Sequence, residues 1–475
     1  MHYRKLILFL LYSFNFSSYA NNIVLPDIGD NAGNVSPIEE YRTGEAVIRN
    51  IRRAGGVIDD PLIQTYLTEL GYRLVAASET QQPFHFFLIK DKSINAFALP
   101  GGFIGINAGL ILATKSESEL AGVMAHEIAH VTQRHHARQY EQNESSIPIM
   151  AALIAAMVLS SQNNELGQAA VTSMAAGSVQ KQLNFTRENE KEADRIGIEL
   201  LIKADFDAHA MPAFFDTMDK QSRLYGDNIP EFLRSHPVNP ARISDSMNRA
   251  NHYPNRMVIS STAYHLLQTR LKILASEDKS ELLKDFSSMI KIGNYQNKDS
   301  AHYGYALALQ LNKKYPESLE QVQILLNKHP ENISYNILKA QIETDLKNYP
   351  AAIKTFEKIL KIYPGNLTIH QFYAETLIKA GKIKLAHKLL ETQVAKSIKS
   401  PIIFQLLAET EAKMSNLAKS HQALAEYYYL QGQTHEAIKQ IEISLNTKNI
   451  NFYMTNRLEA RLKEFKDELL QLNTH

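Results

Sequence analysis

Apolar and polar residues follow different patterns along the chain and divide it into three parts. The first part is short: after two basic residues, an apolar run from Leu6 to Phe16 ends just before Ser18 and Ala20, small residues of the kind that a signal peptidase recognises. This run is shorter than the ~20 apolar residues that a membrane-spanning helix needs. We therefore expect residues 1–20 to be the cleaved signal peptide of an exported protein.

The second part, residues 21–258, combines strand-like segments with helical periodicity. Phe84–Ile89 is predicted to be one strand. Asn95–Asn107 is predicted to be another, interrupted by a Pro-Gly-Gly triplet in the manner of an edge strand or a bulge. From Glu117 onward, apolar residues recur at helical spacing. We expect a mostly helical α+β domain with a small sheet.

A second apolar run within this domain, Ile147–Leu159, is also too short to span a membrane. A buried helix is the simpler interpretation. The alternative is a surface segment that touches lipid or a membrane-bound partner, which would make a peripheral membrane contact.

The third part, residues 259–475, begins after helical periodicity stops near Pro254 and repeats itself every 34 residues. The alanines that recur at this spacing are Ala306, Ala340, Ala374 and Ala408. A helix–turn–helix period of this length, with small residues where helices cross, is typical of tetratricopeptide repeats. We expect an all-α solenoid of about four repeats followed by irregular C-terminal helices, with a generic helical bundle as the alternative.

The composition narrows the chemistry that the chain can carry. Its 475 residues include 51 basic and 50 acidic side chains, so no overall charge favours binding to nucleic acid. Cysteine is absent, which excludes disulfides, thiolate metal sites and a cysteine nucleophile. Any metal must therefore be bound by histidines and carboxylates.

One motif carries chemistry: His126-Glu127-x-x-His130, inside an apolar helical segment. Two histidines four residues apart share a helix face and can bind one Zn²⁺, and this motif is a known sign of zinc metallopeptidases. Glu127 lies beside them as a general base. Without a metal, these buried polar side chains would cost about 1–3 kcal/mol each. His135 and His136 point away from this face of a continuous helix, and we expect them to be solvated.

A catalytic zinc needs a third protein ligand, which the carboxylate-rich segment Thr186–Gly197 can supply. At helical spacing, Glu190 and Asp194 share a face with apolar residues, whereas Glu192 falls on a charged face. We predict that Glu190 is the ligand and that Asp194 orients a liganding histidine, with Glu192 as the alternative ligand.

This spacing of motifs resembles that of the HtpX- and CAAX-protease-like zinc metallopeptidases. The other matching segments are Asn95-Ala96-Phe97, the Gly101-Gly102 pair, Gly109-Leu110, and Ser235-His236-Pro237 with Arg242. With a signal peptide before the catalytic domain and a repeat array after it, the chain resembles periplasmic members of this family that act in outer-membrane β-barrel assembly.

The resemblance implies a periplasmic zinc endopeptidase with one Zn²⁺ per chain, located at the outer membrane as a peripheral protein. Its ligands would be His126, His130 and Glu190, and its catalytic residues Glu127 and Asp194. The implied substrates are unfolded or misassembled outer-membrane β-barrel proteins. The implied partners are the barrel-assembly and lipopolysaccharide-export machinery.

One further expectation concerns substrate binding. An edge strand containing Asn95, Ala96, Phe97, Gly101 and Gly102 would pair with an extended substrate.

A histidine before proline, such as His236, is usually turn chemistry. The resemblance implies that His236 can instead occupy the fourth zinc position and keep the enzyme latent.

The alternative function is a non-proteolytic periplasmic chaperone or adaptor that acts mainly through its repeats. A non-peptidase metal hydrolase is less favoured, because no phosphate- or sugar-binding signal accompanies the motif.

Overall fold

The computed structural model describes residues 36–135, 138, 187–225, 230–396, 399–448 and 450–473. The predicted signal peptide and the apolar run Ile147–Leu159 lie outside the described residues. Within the described ranges, no helix is both long and apolar enough to cross a membrane. The predicted order, an α+β domain followed by an all-α repeat region, is confirmed.

The first domain consists of helices that surround one small sheet. Its elements are α1 (Pro37–Arg53), α2 (Pro61–Ala76), β1 (His85–Ile89), β2 (Ala96–Leu99), a 3₁₀ turn (Pro100–Gly102), β3 (Phe103–Asn107), α3 (Ala108–Ala113), α4 (Glu117–Thr132), α5 (Arg187–Lys203), α6 (Ala210–Tyr225), α7 (Glu231–Ser235) and α8 (Pro240–Ala250). Helix α4 is buried along its length between the sheet, α2, α5 and α6.

The sheet has the order β1-β3-β2, with β3 parallel to β1 and antiparallel to β2. The prediction of a single interrupted strand over Asn95–Asn107 is therefore wrong, because this segment folds into a hairpin. Gly101 and Gly102 reverse the chain with φ angles of 77° and 81°, a region that residues with a side chain rarely adopt. As a result β2 is an outer strand, and β3 is central.

Helix α5 approaches α4 closely at Gly197. A β-carbon at this position would lie 3.2 Å from the backbone nitrogen of His126 and 2.6 Å from Met211 Cε. Only glycine fits here without displacing a neighbour. This close packing brings the carboxylates on α5 next to the motif on α4.

The second domain is a stack of antiparallel helices. They are α9 (Thr262–Ala275), α10 (Lys279–Ile292), α11 (Lys298–Leu311), α12 (Tyr315–Lys328), α13 (Ile333–Asp345), α14 (Tyr349–Ile362), α15 (Leu367–Lys379), α16 (Ile383–Ala395), α17 (Pro401–Lys413), α18 (Leu417–Leu430), α19 (Thr434–Leu445) and α20 (Phe452–Asn473). The four alanines of the 34-residue period lie buried in α11, α13, α15 and α17.

The turns obey the same period. The residues that follow α11, α13, α15 and α17 in the left-handed region, with φ between 59° and 72°, are Lys313, Lys347, Gly381 and Ser415, each 34 residues after the last. The period predicted from alanines is thus also a period of backbone conformation. Three of the four positions are not glycine, so the stacked helices hold a backbone conformation that these residues seldom adopt alone.

The two domains pack against each other through α2 and α9. Tyr264 and Leu267 of α9 belong to the core of the first domain, whereas Leu266 belongs to that of the repeats. At the N-terminus of α2, the Asp60 carboxylate accepts hydrogen bonds of 2.7–2.9 Å from the Arg270 guanidinium. The predicted boundary at residue 258 stays a prediction, since α9 contributes to both cores.

We expect Asp60→Ala to lower the free energy of unfolding by about 3 kcal/mol, since it leaves the Arg270 guanidinium buried without its anion and removes the N-cap of α2. The urea midpoint of the mature chain measures this effect. Asp245→Ala is the matched control, because Asp245 pairs with Arg249 at the surface and should contribute less than about 1 kcal/mol. Equal losses in the two variants would contradict a special role for this pair.

Candidate metal centre

The residues of the predicted site come together from three parts of the first domain. Helix α4 presents His126 and His130 one turn apart, and α5 presents Glu190 and Asp194 one turn apart. The fifth residue, His236, lies directly after α7. We call α7 and the loop that follows it, residues 231–238, the His236 segment. All five side chains are buried, with at most 2% of each residue exposed.

Four of these side chains converge with one nitrogen or oxygen atom each. His126 Nε2 lies 3.0 Å from His130 Nε2 and 3.3 Å from His236 Nδ1. Glu190 Oε1 lies 3.4 Å from His130 Nε2 and 3.0 Å from His236 Nδ1. Zinc bonds of about 2.0–2.1 Å in a tetrahedron separate neighbouring ligand atoms by about 3.3 Å. The four donors therefore fit a tetrahedral zinc ion, and their roles as ligands stay predictions.

Glu127 is fully buried beside this cluster. Among the described residues, neither of its carboxylate oxygens has a hydrogen-bond partner, and His236 Nε2 lies 3.5 Å from one of them. A buried carboxylate without a donor is costly. Such an arrangement fits a group that accepts a proton during catalysis.

Arg242 on α8 holds both acidic residues of α5. Its guanidinium donates hydrogen bonds of 2.6 and 2.8 Å to Asp194 and lies 2.5 Å from Glu190 Oε2. Burial alone would raise the pKa of both carboxyls, but Arg242, together with His236 in the case of Glu190, holds these pKa values below their ordinary range. Both side chains are therefore anionic in the core.

The carboxylates in turn act on His126, whose Nδ1 lies 3.0 Å from Asp194 Oδ1. Burial lowers the pKa of His126, but Asp194 and Glu190 more than offset this and raise it to about 9. A cation that binds His126 Nε2 therefore has to displace a proton. The Arg242 bridge is a tertiary contact across 48 residues, and the sequence indicated Arg242 only through the family resemblance.

The expectation that His135 is solvated is wrong. His135 is fully buried, its Nδ1 lies 2.9 Å from His130 Nδ1, and its Nε2 lies 3.0 Å from Glu192 Oε2. The cause is local: α4 ends at Thr132, and Arg134, with φ of 51°, turns the chain back toward the motif. His136 lies outside the described residues.

Glu192, the alternative third ligand, does not contribute an atom to the convergent group. Its side chain is one third exposed and faces His135 and Arg138. The geometry therefore favours Glu190, whose oxygens face both motif histidines.

The five residues of the predicted substrate strand do not lie on one edge. Ala96 and Phe97 belong to the outer strand β2, and Asn95 precedes it and accepts a hydrogen bond from the Asn107 amide. Gly101 and Gly102 instead form the buried turn before β3. The His236 segment touches the same region, because the Phe232 amide donates a 3.0 Å hydrogen bond to the carbonyl of Ile94, just before β2.

One other group of potential ligands occurs among the described residues, in the repeats: His387, Glu391 and Glu411. Glu411 already accepts hydrogen bonds from His387 and Asn416. Lys419 Nζ lies 3.9 Å from the carboxylates of both glutamates. These contacts provide the positive charge that the carboxylates need, so the group does not require a metal.

Comparison with known proteins places these observations in a family. The model of peptidase family M48 matches residues 61–250, a range that contains the whole cluster, and a tetratricopeptide-repeat model matches residues 344–410. The beta-barrel assembly-enhancing protease of Escherichia coli K12 is 34% identical over 451 residues, which are 94% of this chain and 91% of that protein. The putative beta-barrel assembly-enhancing protease of Vibrio cholerae is 37% identical over 446 residues, 93% of this chain and 92% of that protein. The mitochondrial metalloendopeptidase OMA1 of Schizosaccharomyces pombe is 31% identical over 179 residues, 38% of this chain and 50% of that protein.

The choice between the two glutamates can be tested by metal content. We expect Glu190→Gln to lose zinc during dialysis, because a neutral amide replaces the one carboxylate that, among the described residues, faces both motif histidines. Glu192→Gln, on the same helix, should retain much more zinc than Glu190→Gln after the same dialysis, because Glu192 contributes no atom to the convergent group. Elemental analysis of the dialysed proteins measures both. Zinc retained in Glu190→Gln and lost in Glu192→Gln would reverse the assignment.

Proposed function

Because the chain belongs to the beta-barrel assembly-enhancing proteases, zinc metallopeptidases of family M48 with tetratricopeptide repeats, we propose that it is a periplasmic endopeptidase acting on outer-membrane β-barrel proteins. Its substrates would be barrels that fail to assemble. The observation that carries the proposal is the convergence of His126, His130 and Glu190 beside an unpaired, buried Glu127.

In this proposal each residue of the cluster has one task in peptide-bond hydrolysis. His126, His130 and Glu190 would hold the metal, and Asp194 orients His126 through its Nδ1. A zinc ion held there would supply a Lewis acid for the scissile carbonyl and would lower the pKa of water to about 7. Glu127 takes the proton of the attacking water on its carboxylate and passes it to the nitrogen of the leaving amine.

The outer strand β2 supports a preference for extended substrates. Among the described elements, β2 pairs with β3 on one side only, and it packs against the motif helix α4. An extended peptide can add to such a strand through main-chain hydrogen bonds, which are independent of sequence. Barrel proteins that have not assembled expose strands with unpaired edges, so they match this mode of binding.

We further propose that His236 keeps the enzyme latent. Its Nδ1 faces the ligand atoms of His126 and Glu190, and its Nε2 lies 3.5 Å from the Glu127 carboxylate. One imidazole would thereby fill the fourth metal position and the space next to the general base. The His236 segment is held by the Ile94 carbonyl and by Arg242, which donates a hydrogen bond to the carbonyl of Pro237.

The alternative is a chaperone or adaptor whose repeats do the main work, in contact with the barrel-assembly and lipopolysaccharide-export machinery. The closed site favours it, since a protein that is normally inactive as a protease can still bind partners. A cellular test separates the two: if Glu127→Gln restores barrel assembly in a strain that lacks the protein, the adaptor function does not need proteolysis. If it fails to restore assembly, cleavage is the main function.

We expect Glu127→Gln, placed in the His236→Ala background so that latency does not hide its effect, to reduce cleavage of an unfolded protein by about 100-fold to 10,000-fold. Zinc content should stay at one per chain, because Glu127 is not among the convergent ligand atoms. Glu188→Gln, an exposed residue of α5, is the control. Loss of zinc in Glu127→Gln would show a structural role instead.

We expect His236→Ala to cleave the same unfolded protein at least about tenfold faster than the wild type, because the site is then permanently open. Initial rates at equal zinc content measure this. His252→Ala, an exposed histidine after α8, should behave as the wild type. A rate for His236→Ala that equals or falls below that of the wild type would refute the latency proposal.

A further inference from the structure

We propose that His135 and Glu192 are positioning residues of the metal centre, which fix the orientation of the His130 ring through its Nδ1. The proposal rests on His130 acting as a zinc ligand through Nε2. It assigns a task to two residues that lie outside the motif: His135, which was expected to be solvated, and Glu192, which was expected on a charged face and was the alternative metal ligand.

The contacts form a chain of two hydrogen bonds that leads away from the cluster. His130 Nδ1 and His135 Nδ1 are 2.9 Å apart, and the two rings are nearly perpendicular, with centroids 5.0 Å apart. His135 Nε2 continues to Glu192 Oε2 at 3.0 Å. His135 is fully buried, whereas the side chain of Glu192 is one third exposed.

The two hydrogen bonds determine which ring nitrogen of each histidine carries the proton. A neutral histidine that offers the Nε2 lone pair to a metal carries its proton on Nδ1. His130 therefore donates from Nδ1 to His135 Nδ1, which has to be an acceptor. The proton of His135 is then on Nε2, where Glu192 accepts it. The carboxylate at the end of the chain thus selects the tautomer of His130 that binds metal, two hydrogen bonds away.

The other motif histidine has an equivalent partner of a different kind. His126 Nδ1 faces Asp194 directly, and Asp194 is buried and held by Arg242. Metal-binding histidines usually have such a partner for their second nitrogen, and its loss typically weakens metal binding 10–100-fold. His130 has its partner in His135, which leads on to Glu192. The Nδ1 atom of each motif histidine is therefore connected to a carboxylate, directly in His126 and through His135 in His130.

The turn that places His135 is itself anchored. Arg134, in the left-handed region, donates a 2.8 Å hydrogen bond to Glu40 of α1. Its amide donates to the carbonyl of Val131 at the end of α4. His135 is therefore directed at His130 by a backbone turn that contacts another helix.

The test measures zinc binding by the mature chain rather than its activity. The dissociation constant is determined by competition with a chelator of known affinity, and the Co²⁺ absorption spectrum reports the geometry of the ligands. We expect His135→Leu, which keeps the apolar volume but has no acceptor, to weaken zinc binding by about 10–100-fold and to change the Co²⁺ spectrum. His135→Asn can place its side-chain oxygen near the position of Nδ1 and should recover most of the affinity.

Glu192→Gln should give a smaller loss, below about tenfold, because the amide oxygen still accepts the proton of His135 without its charge. His209→Leu, which removes a histidine bonded to Asp207 and Asn251 outside the cluster, is the matched control and should bind zinc as the wild type does. If His135→Leu does not fold, as judged by circular dichroism, the recovery expected for His135→Asn and the graded loss in Glu192→Gln still decide the question.

Wild-type affinity in His135→Leu, or equal losses in folded His135→Leu and His135→Asn, would overturn the positioning role. His130→Ala tells this failure apart from a failure of the proposed function. If His130→Ala loses zinc while His135→Leu does not, only the positioning inference falls. If His130→Ala keeps full affinity, the ligand assignment on which both proposals depend is wrong.

Discussion

The catalytic domain depends on one guanidinium that neutralises two carboxylates in its buried core. Glu190 and Asp194 face inward from the same side of α5, and Arg242 of α8 pairs with both. Without this cation, burial would favour the protonated forms, and neither residue could bind a metal or orient a histidine as an anion. Arg242 joins α8 to α5, and Gly197 lets α5 approach α4 closely, so the paired carboxylates lie next to the motif histidines.

How much the sequence could predict depended on whether the signal was local. The His126 motif, the inward face of α5 and the 34-residue period all follow from helical spacing, and the structure brings the motif histidines next to Glu190. The errors came where a helix was assumed to continue or a strand to stay straight. Arg134 ends the continuity of α4, and the paired glycines at 101 and 102 turn the second strand into a hairpin. Positive φ angles at these positions end the helix and reverse the strand. Of these residues, only the glycines indicate such angles in a sequence.

The way in which the repeats pack on the first domain had no comparable signal. Asp60 and Arg270 are polar residues 210 positions apart, and Thr65 meets Thr368 with hydroxyl oxygens 2.6 Å apart. Each of these residues would be equally at home on a free surface. These pairs form only because the two domains pack together, with α9 contributing apolar residues to both cores.

The complete burial of the four convergent side chains has a consequence for exchange kinetics. At most 2% of any of these residues is exposed. If the His236 segment keeps the site closed as proposed, a chelator would reach an ion held between these side chains only when the segment opens, and the lifetime of bound metal would depend on the frequency of opening as well as on affinity. The rate of metal release would therefore measure how often the site opens, in an experiment that needs no substrate.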